Sequence, residues 1–208
     1  MKKEIELLEI RRQSAHLLFG FFLVFLLLNG YIDGIFLVGA FFFALFLSLL
    51  AKCMRIPVFC HFLDIFERKK DLESLPGKGL LSFLLGSAVV SLIFPVNIAI
   101  SSILILAFGD SVSHVFGRHF GGIKTPFHAK KHIEGSIFGI LISAIAASFF
   151  VPFYIGLIAS IVAMLLEFPT IRIMGVKIDD NIIIPISSAI CLFLLMQGAE
   201  SLAIRAKK

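Results

Sequence analysis

Long apolar segments alternate with short polar segments along the whole chain. The apolar segments cover residues 14–28, 31–51, 80–94, 98 to beyond 109, 137–151, 152–167 and 182–198. Most reach the roughly 15 to 20 residues with which an α-helix crosses a hydrocarbon core of about 30 Å. The pattern predicts an all-α fold, a polytopic transmembrane helical bundle of seven spans. The range is six to eight, because the third to sixth segments are short.

The longest polar segment, residues 52–79, is not predicted to cross the membrane. Residues 58–66 within it are predicted to form an amphipathic helix that lies in the membrane interface. The sequence PGKG over residues 76–79 then predicts a turn that leads into the third span.

The composition is that of an integral membrane protein. The chain is 59% hydrophobic, contains 24 phenylalanines and has a mean hydropathy of +1.01, outside the range of soluble domains. We expect a single integral-membrane catalytic domain over residues 1–208. The net charge of +5 is modest and the basic residues lie between apolar segments, so no nucleic-acid partner is predicted.

The basic residues predict the orientation of the chain. Of the 19 lysines and arginines, 16 lie before the first apolar segment or in the polar segments 52–79, 109–136 and 168–181. Lysine and arginine accumulate on the cytoplasmic side of membrane proteins. These segments are therefore predicted to share the cytoplasmic face, of the cell membrane in a prokaryote, where nucleotides are present.

The densest set of candidate functional residues lies in the polar segment 108–136. If the fourth helix continues past Gly109, then Asp110, His114 and Arg118 share one face near its end, at positions i, i+4 and i+8. A carboxylate at this depth costs free energy, which favours a functional role. The alternative is an ion pair at a helix end.

Glycines and lysines of the same segment are candidate phosphate ligands. Backbone N–H groups of Gly121 and Gly122 can approach a polyphosphate closely while ammonium groups neutralise its charge. The ammonium groups are those of Lys124, Lys130 and Lys131. Anionic lipid head groups are the alternative ligand of such a loop.

Three further groups lie at predicted helix ends. Residues 134–136 begin the fifth span, where a helix amino terminus favours phosphate. Glu167 ends the sixth span and residues 179–181 begin the seventh, and such carboxylates suit Mg²⁺. Helix capping is the alternative for Glu134 and for Asp180 or Asn181. Pro185 predicts an irregular start of the seventh helix.

Two arginines open the first span. Arg11 and Arg12 are most simply topology anchors, whereas His16, one helical turn after Arg12, is a candidate substrate contact. The histidines and cysteines show no zinc-binding spacing, so no structural zinc is predicted.

Four motifs lie between the predicted spans. They are EIRRQSAH over residues 9–16, PGKG over 76–79, GDSVSHVFGRHFGG continuing to KKHIEGS over 109–136, and a glutamate followed by DDNIIIP over 167–185. In their order and placement, across nearly the whole chain, they resemble the dolichol kinase and phytol kinase family of CTP-dependent membrane lipid kinases, relatives of the phosphatidate cytidylyltransferases.

The resemblance implies transfer of the γ-phosphoryl group of CTP to the hydroxyl of a long isoprenoid alcohol in the membrane. We expect Asp110 with Asp179 or Asp180 to hold Mg²⁺, or Mn²⁺ in its place, and Glu134 or Glu167 to accept the alcohol proton. The candidate catalytic residues are thus Asp110, Glu134, Glu167, Asp179 and Asp180. The candidate nucleotide ligands are Gly109, Arg118, Gly121, Gly122, Lys124, Lys130, Lys131, Gly135, Ser136 and Asn181, and the candidate substrate contacts are Arg12, His16, Lys78 and His114.

The leading rival is cytidylyl transfer, in which a lipid phosphate attacks the α-phosphoryl group of CTP and pyrophosphate leaves. The HGG and D-R-x-D sequences expected of that reaction are absent. Diacylglycerol is a further acceptor that the sequence leaves open. A transporter with Asp110 and Glu167 as ion sites is less favoured, because the acidic residues gather at helix ends on one face instead of at the membrane midplane.

Overall fold

The computed structural model describes residues 2–54, 61, 63, 65–67, 75–125, 128–167, 169, 171–173 and 176–206. Seven helices have both ends within these ranges: α1 Lys2–Leu28, α2 Gly34–Cys53, α3 Lys78–Ile93, α4 Val96–Phe120, α5 Ile133–Ala147, α6 Phe153–Leu166 and α7 Asp180–Ala206. Two short antiparallel hairpins join helices. The first pairs β1 Lys124–Thr125 with β2 His128–His132, between α4 and α5, and the second pairs β3 Arg172–Ile173 with β4 Val176–Lys177, between α6 and α7.

The predicted all-α membrane bundle is confirmed. Stretches of α1, α2, α4 and α7 are long and apolar enough to cross a membrane, and α3, α5 and α6 are shorter apolar helices. The first helix begins at Lys2 and the last ends at Ala206, whereas the apolar segments predicted limits at residues 14 and 198. Hydropathy marks the part of a helix that contacts lipid, and the helical hydrogen bonds continue beyond it.

The interfacial helix predicted over residues 58–66 lies mostly outside the described residues. Residues 61, 63, 65 and 66, which are described, are helical.

Helix α4 is the centre of the bundle. Within its apolar stretch 78% of the residues are buried, against 22% in α2, whose exposed phenylalanines face outward. Helices α1, α3, α5 and α7 all pack against α4. Polar groups near the end of α4 are therefore surrounded by other helices and can be shielded from lipid.

Glycines bring α4 and α5 into close contact. A Cβ atom on Gly135 would lie 2.3 Å from the carbonyl oxygen of Ser113 and 2.6 Å from Cα of Gly117. One turn later, a Cβ on Gly139 would lie 2.7 Å from the carbonyl oxygen of Gly109. Small residues allow such backbone contacts between membrane helices. Gly109 and Gly135, which were expected to contact the nucleotide, thus lie in a helix–helix interface.

The connections place the predicted motifs at one end of the bundle. The helices alternate in direction, so this end contains the start of α1, α3, α5 and α7 and the end of α2, α4 and α6. Both hairpins belong to it. The reversals at the other end are short, as between Ile93 and Val96, where only two residues join α3 to α4.

Candidate active site

Asp110 and His114 on α4 meet Glu167 at the end of α6. One ligand atom from each of the three side chains lies within 4.8 Å of the other two. Asp110 and Glu167 are buried, and Nε2 of His114 lies 3.3 Å from Oδ1 of Asp110. Helix α4 runs unbroken past Gly109, so the predicted shared face of Asp110 and His114 is present. Arg118, one turn further, is exposed.

Helix α1 contributes a polar face to the same region. The guanidinium of Arg12 donates to Oε1 of Glu9 at 2.6 Å, and the amide of Gln13 donates to the same oxygen at 3.2 Å. The hydroxyl of Ser111 on α4 donates to the backbone carbonyl of Gln13 at 3.2 Å. Glu9 and Gln13 were not among the candidates. Their spacing with Arg12 and His16, at i, i+3, i+4 and i+7, is the sequence signal that marks a common helix face.

The imidazole of His16 lies between the two acidic motifs. Its Nε2 is 3.9 Å from Oδ2 of Asp110, which is longer than a hydrogen bond, and its ring meets Phe83 edge-on with centroids 4.7 Å apart. His16 also interacts electrostatically with Asp179. The side chain is buried, and Nε2 makes no hydrogen bond to any residue that the structure describes.

A buried network joins α3 to the start of α7. The hydroxyl of Ser82 lies 3.0 Å from Oδ1 of Asp179, which also accepts the backbone N–H of Asn181 at 3.2 Å. The side-chain amide of Asn181 donates to Ser82 at 3.0 Å and to the carbonyl of Gly79 at 3.3 Å. Burial raises the pKa of Asp179, against the opposing effect of these hydrogen bonds on its charged form. Ser82 was not a candidate from the sequence.

The PGKG motif forms the turn that precedes α3. Gly77 has a φ of 81°, a left-handed conformation that side chains disfavour, and its N–H donates to Oε2 of Glu67 at 2.9 Å. The carbonyl of Pro76 accepts the hydroxyl of Ser48 on α2. This turn places Lys78, exposed on the first turn of α3, where it interacts electrostatically with Asp179.

Glu134 closes the loop that follows α4. Its Oε1 accepts the backbone N–H groups of Gly122 and Ile123, each at 3.0 Å. Hydrogen bonds from its own backbone N–H and from these two groups lower the pKa of Glu134. The N–H of Gly122, expected to face a phosphate, is thus directed at a carboxylate of the protein. Ser136 behaves similarly, because its buried hydroxyl donates to the carbonyl of His132 at 3.3 Å.

The remaining candidates lie at the first hairpin and at the start of α7. Lys124 is exposed on β1, and Gly121 packs against His132. Lys130 and Lys131 lie on β2, but their side chains fall outside what the structure describes. Among the residues described, Asp179 and Asp180 are not part of the group formed by Asp110, His114 and Glu167. The structure thus places His114 and Glu167 next to Asp110, and the pairing of Asp110 with Asp179 or Asp180 around a metal stays a prediction.

Comparison with known proteins gives three informative relatives. An uncharacterised protein of Methanocaldococcus jannaschii is 30% identical over 182 residues, which are 85% of this chain and 88% of the relative. A probable chloroplastic phytol kinase of Triticum aestivum is 30% identical over 134 residues, 57% of this chain and 44% of the relative. The CTP-dependent diacylglycerol kinase 1 of Schizosaccharomyces pombe is 25% identical over 144 residues, 61% of this chain and 64% of the relative.

The matches therefore span less than two thirds of the length of the two kinases. No family model matches the chain, and no solved structure matches it significantly. The relation to cytidylyltransferases stays a prediction.

Proposed function

Because this chain belongs to the family of CTP-dependent lipid kinases that includes phytol kinase and diacylglycerol kinase, we propose that it phosphorylates an isoprenoid alcohol. The donor would be the γ-phosphoryl group of CTP, and the acceptor an alcohol of the polyprenol, dolichol, phytol or geranylgeraniol class. The phytol kinase is more similar in sequence than the diacylglycerol kinase, which favours this acceptor class. The observation that carries the proposal is the convergence of Asp110, His114 and Glu167 at the end of the bundle where the sequence motifs lie.

The donor set fits a divalent cation. Two buried carboxylates and one imidazole offer ligand atoms within 4.8 Å of one another. Carboxylate oxygens suit Mg²⁺, and the imidazole of His114 is also acceptable to Mn²⁺. Asp110, Glu167 and His114 would hold the ion, in place of the pair expected from the sequence. When bound, it would neutralise charge on the phosphates of CTP.

The proposed transfer needs one proton acceptor. A bond forms between the alcohol oxygen and the γ-phosphorus, the bond from that phosphorus to the bridging oxygen of CDP breaks, and the hydroxyl proton must leave. We assign the proton to Asp179, because burial raises its pKa toward the range in which a carboxylate is an effective base. Glu134 is less suited, since three backbone N–H groups lower its pKa. Glu167 is assigned to the metal.

The charged side chains around the site suggest where each substrate binds. Arg118 and Lys124 project from the end of α4 and from the first hairpin, so they and the neighbouring Lys130 and Lys131 are proposed to neutralise the triphosphate. Arg12 is held by Glu9 beside the cluster. His16 lies one helical turn after Arg12, its ring contacts Phe83, and it is proposed to contact the alcohol. CTP would then enter from the cytoplasm.

A labelling experiment tests the proposal. Purified protein is given CTP labelled at either the α or the γ phosphate, together with geranylgeraniol, phytol, diacylglycerol or a lipid phosphate. Label from the γ position in an isoprenoid alcohol is the expected result. Label from the α position in a lipid would favour the cytidylyltransferase instead, and γ-label found in diacylglycerol alone would reassign the acceptor.

A further inference from the structure

We propose that Ser82 and Asn181 are positioning residues, which hold the carboxylate of Asp179 for the transfer reaction. The inference rests on the proposed function. It assigns a role to Ser82, which no motif marks, and it moves Asn181 from the nucleotide to the support of Asp179.

The hydrogen bonds of the network have one consistent direction. The amide of Asn181 has two N–H donors, and they reach the carbonyl of Gly79 at 3.3 Å and the hydroxyl oxygen of Ser82 at 3.0 Å. The Ser82 hydroxyl is also 3.1 Å from the carbonyl of Gly79. An ionised carboxylate can only accept a hydrogen bond, so the single hydrogen of Ser82 is directed at Oδ1 of Asp179 at 3.0 Å.

Both hydrogen bonds to Asp179 end on the same oxygen. Oδ1 accepts from the hydroxyl of Ser82 and from the backbone N–H of Asn181. Oδ2 accepts from neither of these donors, so we assign it as the oxygen that takes the proton of the alcohol. Two donors on one oxygen fix the plane of the carboxyl group, and a proton acceptor in phosphoryl transfer must be held in position.

The close approach of α3 and α7 makes this network possible. A Cβ atom on Gly86 would lie 2.3 Å from the carbonyl oxygen of Asn181 and 2.9 Å from Cγ of Pro185. In a regular helix the Asn181 carbonyl would accept the N–H of residue 185, which proline lacks. The carbonyl lies against Gly86 instead. The proline within α7 therefore lies against Gly86, which is one helical turn after Ser82 on α3.

One side chain, His16, links this network to the proposed metal ligands Asp110, His114 and Glu167. His16 on α1 interacts electrostatically with both Asp110 and Asp179. The ring of His16 contacts Phe83, the neighbour of Ser82 in the chain, and its Nε2 lies 3.9 Å from Oδ2 of Asp110. A network that orients Asp179 would therefore act on the same substrate as the cluster.

Three serine variants on one helix test the inference. Ser82→Ala removes the donor to Asp179, and Ser82→Thr keeps a hydroxyl. Ser87→Ala is the matched control, because Ser87 is buried on α3 and its hydroxyl has no hydrogen-bond partner among the residues described. We expect Ser82→Ala to lower kcat by about 10- to 100-fold, with KM for CTP changed by less than about threefold. Ser82→Thr should recover most of the loss, and Ser87→Ala should match the wild type.

Unchanged kcat in Ser82→Ala would overturn the inference while leaving the kinase proposal intact. So would an equal loss in Ser87→Ala, because the effect would then come from the packing of α3. If the wild-type protein transfers no γ-label to any alcohol, the proposed function itself is contradicted. If Ser82→Ala does not fold, Asn181→Asp takes its place. It is close to isosteric and removes both amide donors, so the same fall in kcat is expected, and wild-type kcat would overturn the inference.

Discussion

The carboxylates of Asp110 and Glu167 come within 4.8 Å of each other, although one lies on α4 and the other ends α6. Both are buried, so the repulsion between two ionised groups would be strong in the apolar surroundings. A divalent cation relieves that repulsion. The pair is therefore the structural reason to expect metal dependence.

Removing either charge should abolish activity. We expect Asp110→Asn and Glu167→Gln each to lower kcat by at least about 100-fold and to weaken Mn²⁺ binding, measured by calorimetry on the purified protein. Asp33→Asn is the control, since Asp33 caps α2 at the opposite end of the bundle and asparagine caps equally well. Wild-type Mn²⁺ affinity in both variants would remove these carboxylates from the metal site.

Glu134 should act on nucleotide binding more than on chemistry. Glu134→Ala leaves the N–H groups of Gly122 and Ile123 without their acceptor, so the loop loses its conformation. We expect KM for CTP to rise by about tenfold, with a smaller change in kcat. Glu134→Gln keeps one acceptor oxygen and should be milder. If Glu134→Gln lowered kcat as much as Glu134→Ala does, the carboxylate would have a chemical role instead.

Substitution of Asp179 should lower activity without lowering stability. Burial raises its pKa in the folded protein above the unfolded value. Between these two pKa values the folded state binds more protons, so the contribution of this group to stability falls as the pH rises through that window. Asp179→Asn removes the charged form, so we expect an unchanged or higher melting temperature at pH 7 together with loss of phosphoryl transfer.

The pH profile checks the same assignment. A base must be ionised, so wild-type activity should decline as the pH falls through the raised pKa of Asp179, above the range of an ordinary aspartate near 3.9. A melting temperature that drops sharply in Asp179→Asn at pH 7 would contradict the stability prediction. Retained activity would remove Asp179 as the proton acceptor.

The contact between α4 and α5 predicts a large difference between two glycine substitutions. Gly135→Ala places a methyl group 2.3 Å from the carbonyl oxygen of Ser113, and backbone atoms cannot turn aside. We expect a loss of about 1 to 3 kcal/mol in the free energy of unfolding, measured as a lower melting temperature in detergent.

Gly39→Ala is the matched control on α2. Apart from its chain neighbours and the backbone of its own helix turn, no atom of the described residues lies within 4 Å of its added Cβ, so stability should be equal or slightly higher, because alanine favours the helix. Equal melting temperatures for the two variants would mean that α4 and α5 can separate without cost.

The amino-acid sequence alone was enough for the helices and for the faces along each helix. Apolar length predicted seven helices, and the period of the helix predicted that Asp110 and His114 share a face. Both depend only on neighbours in the chain. The same reasoning correctly placed Glu167 and Asp179 at helix ends, since charged residues end apolar segments.

The partners across helices were decided by the tertiary structure. The sequence suggested Asp179 or Asp180 as the partner of Asp110, and the fold supplies Glu167. Which side chains meet depends on the rotation and separation of packed helices, and here backbone contacts set both, at Gly135 between α4 and α5 and at Gly86 between α3 and α7. Periodicity along one helix contains no information about these contacts. That is why the motifs could be recognised from the sequence, while the grouping of Asp110 with His114 and Glu167 and the hydrogen bonds that hold Asp179 required the packed bundle.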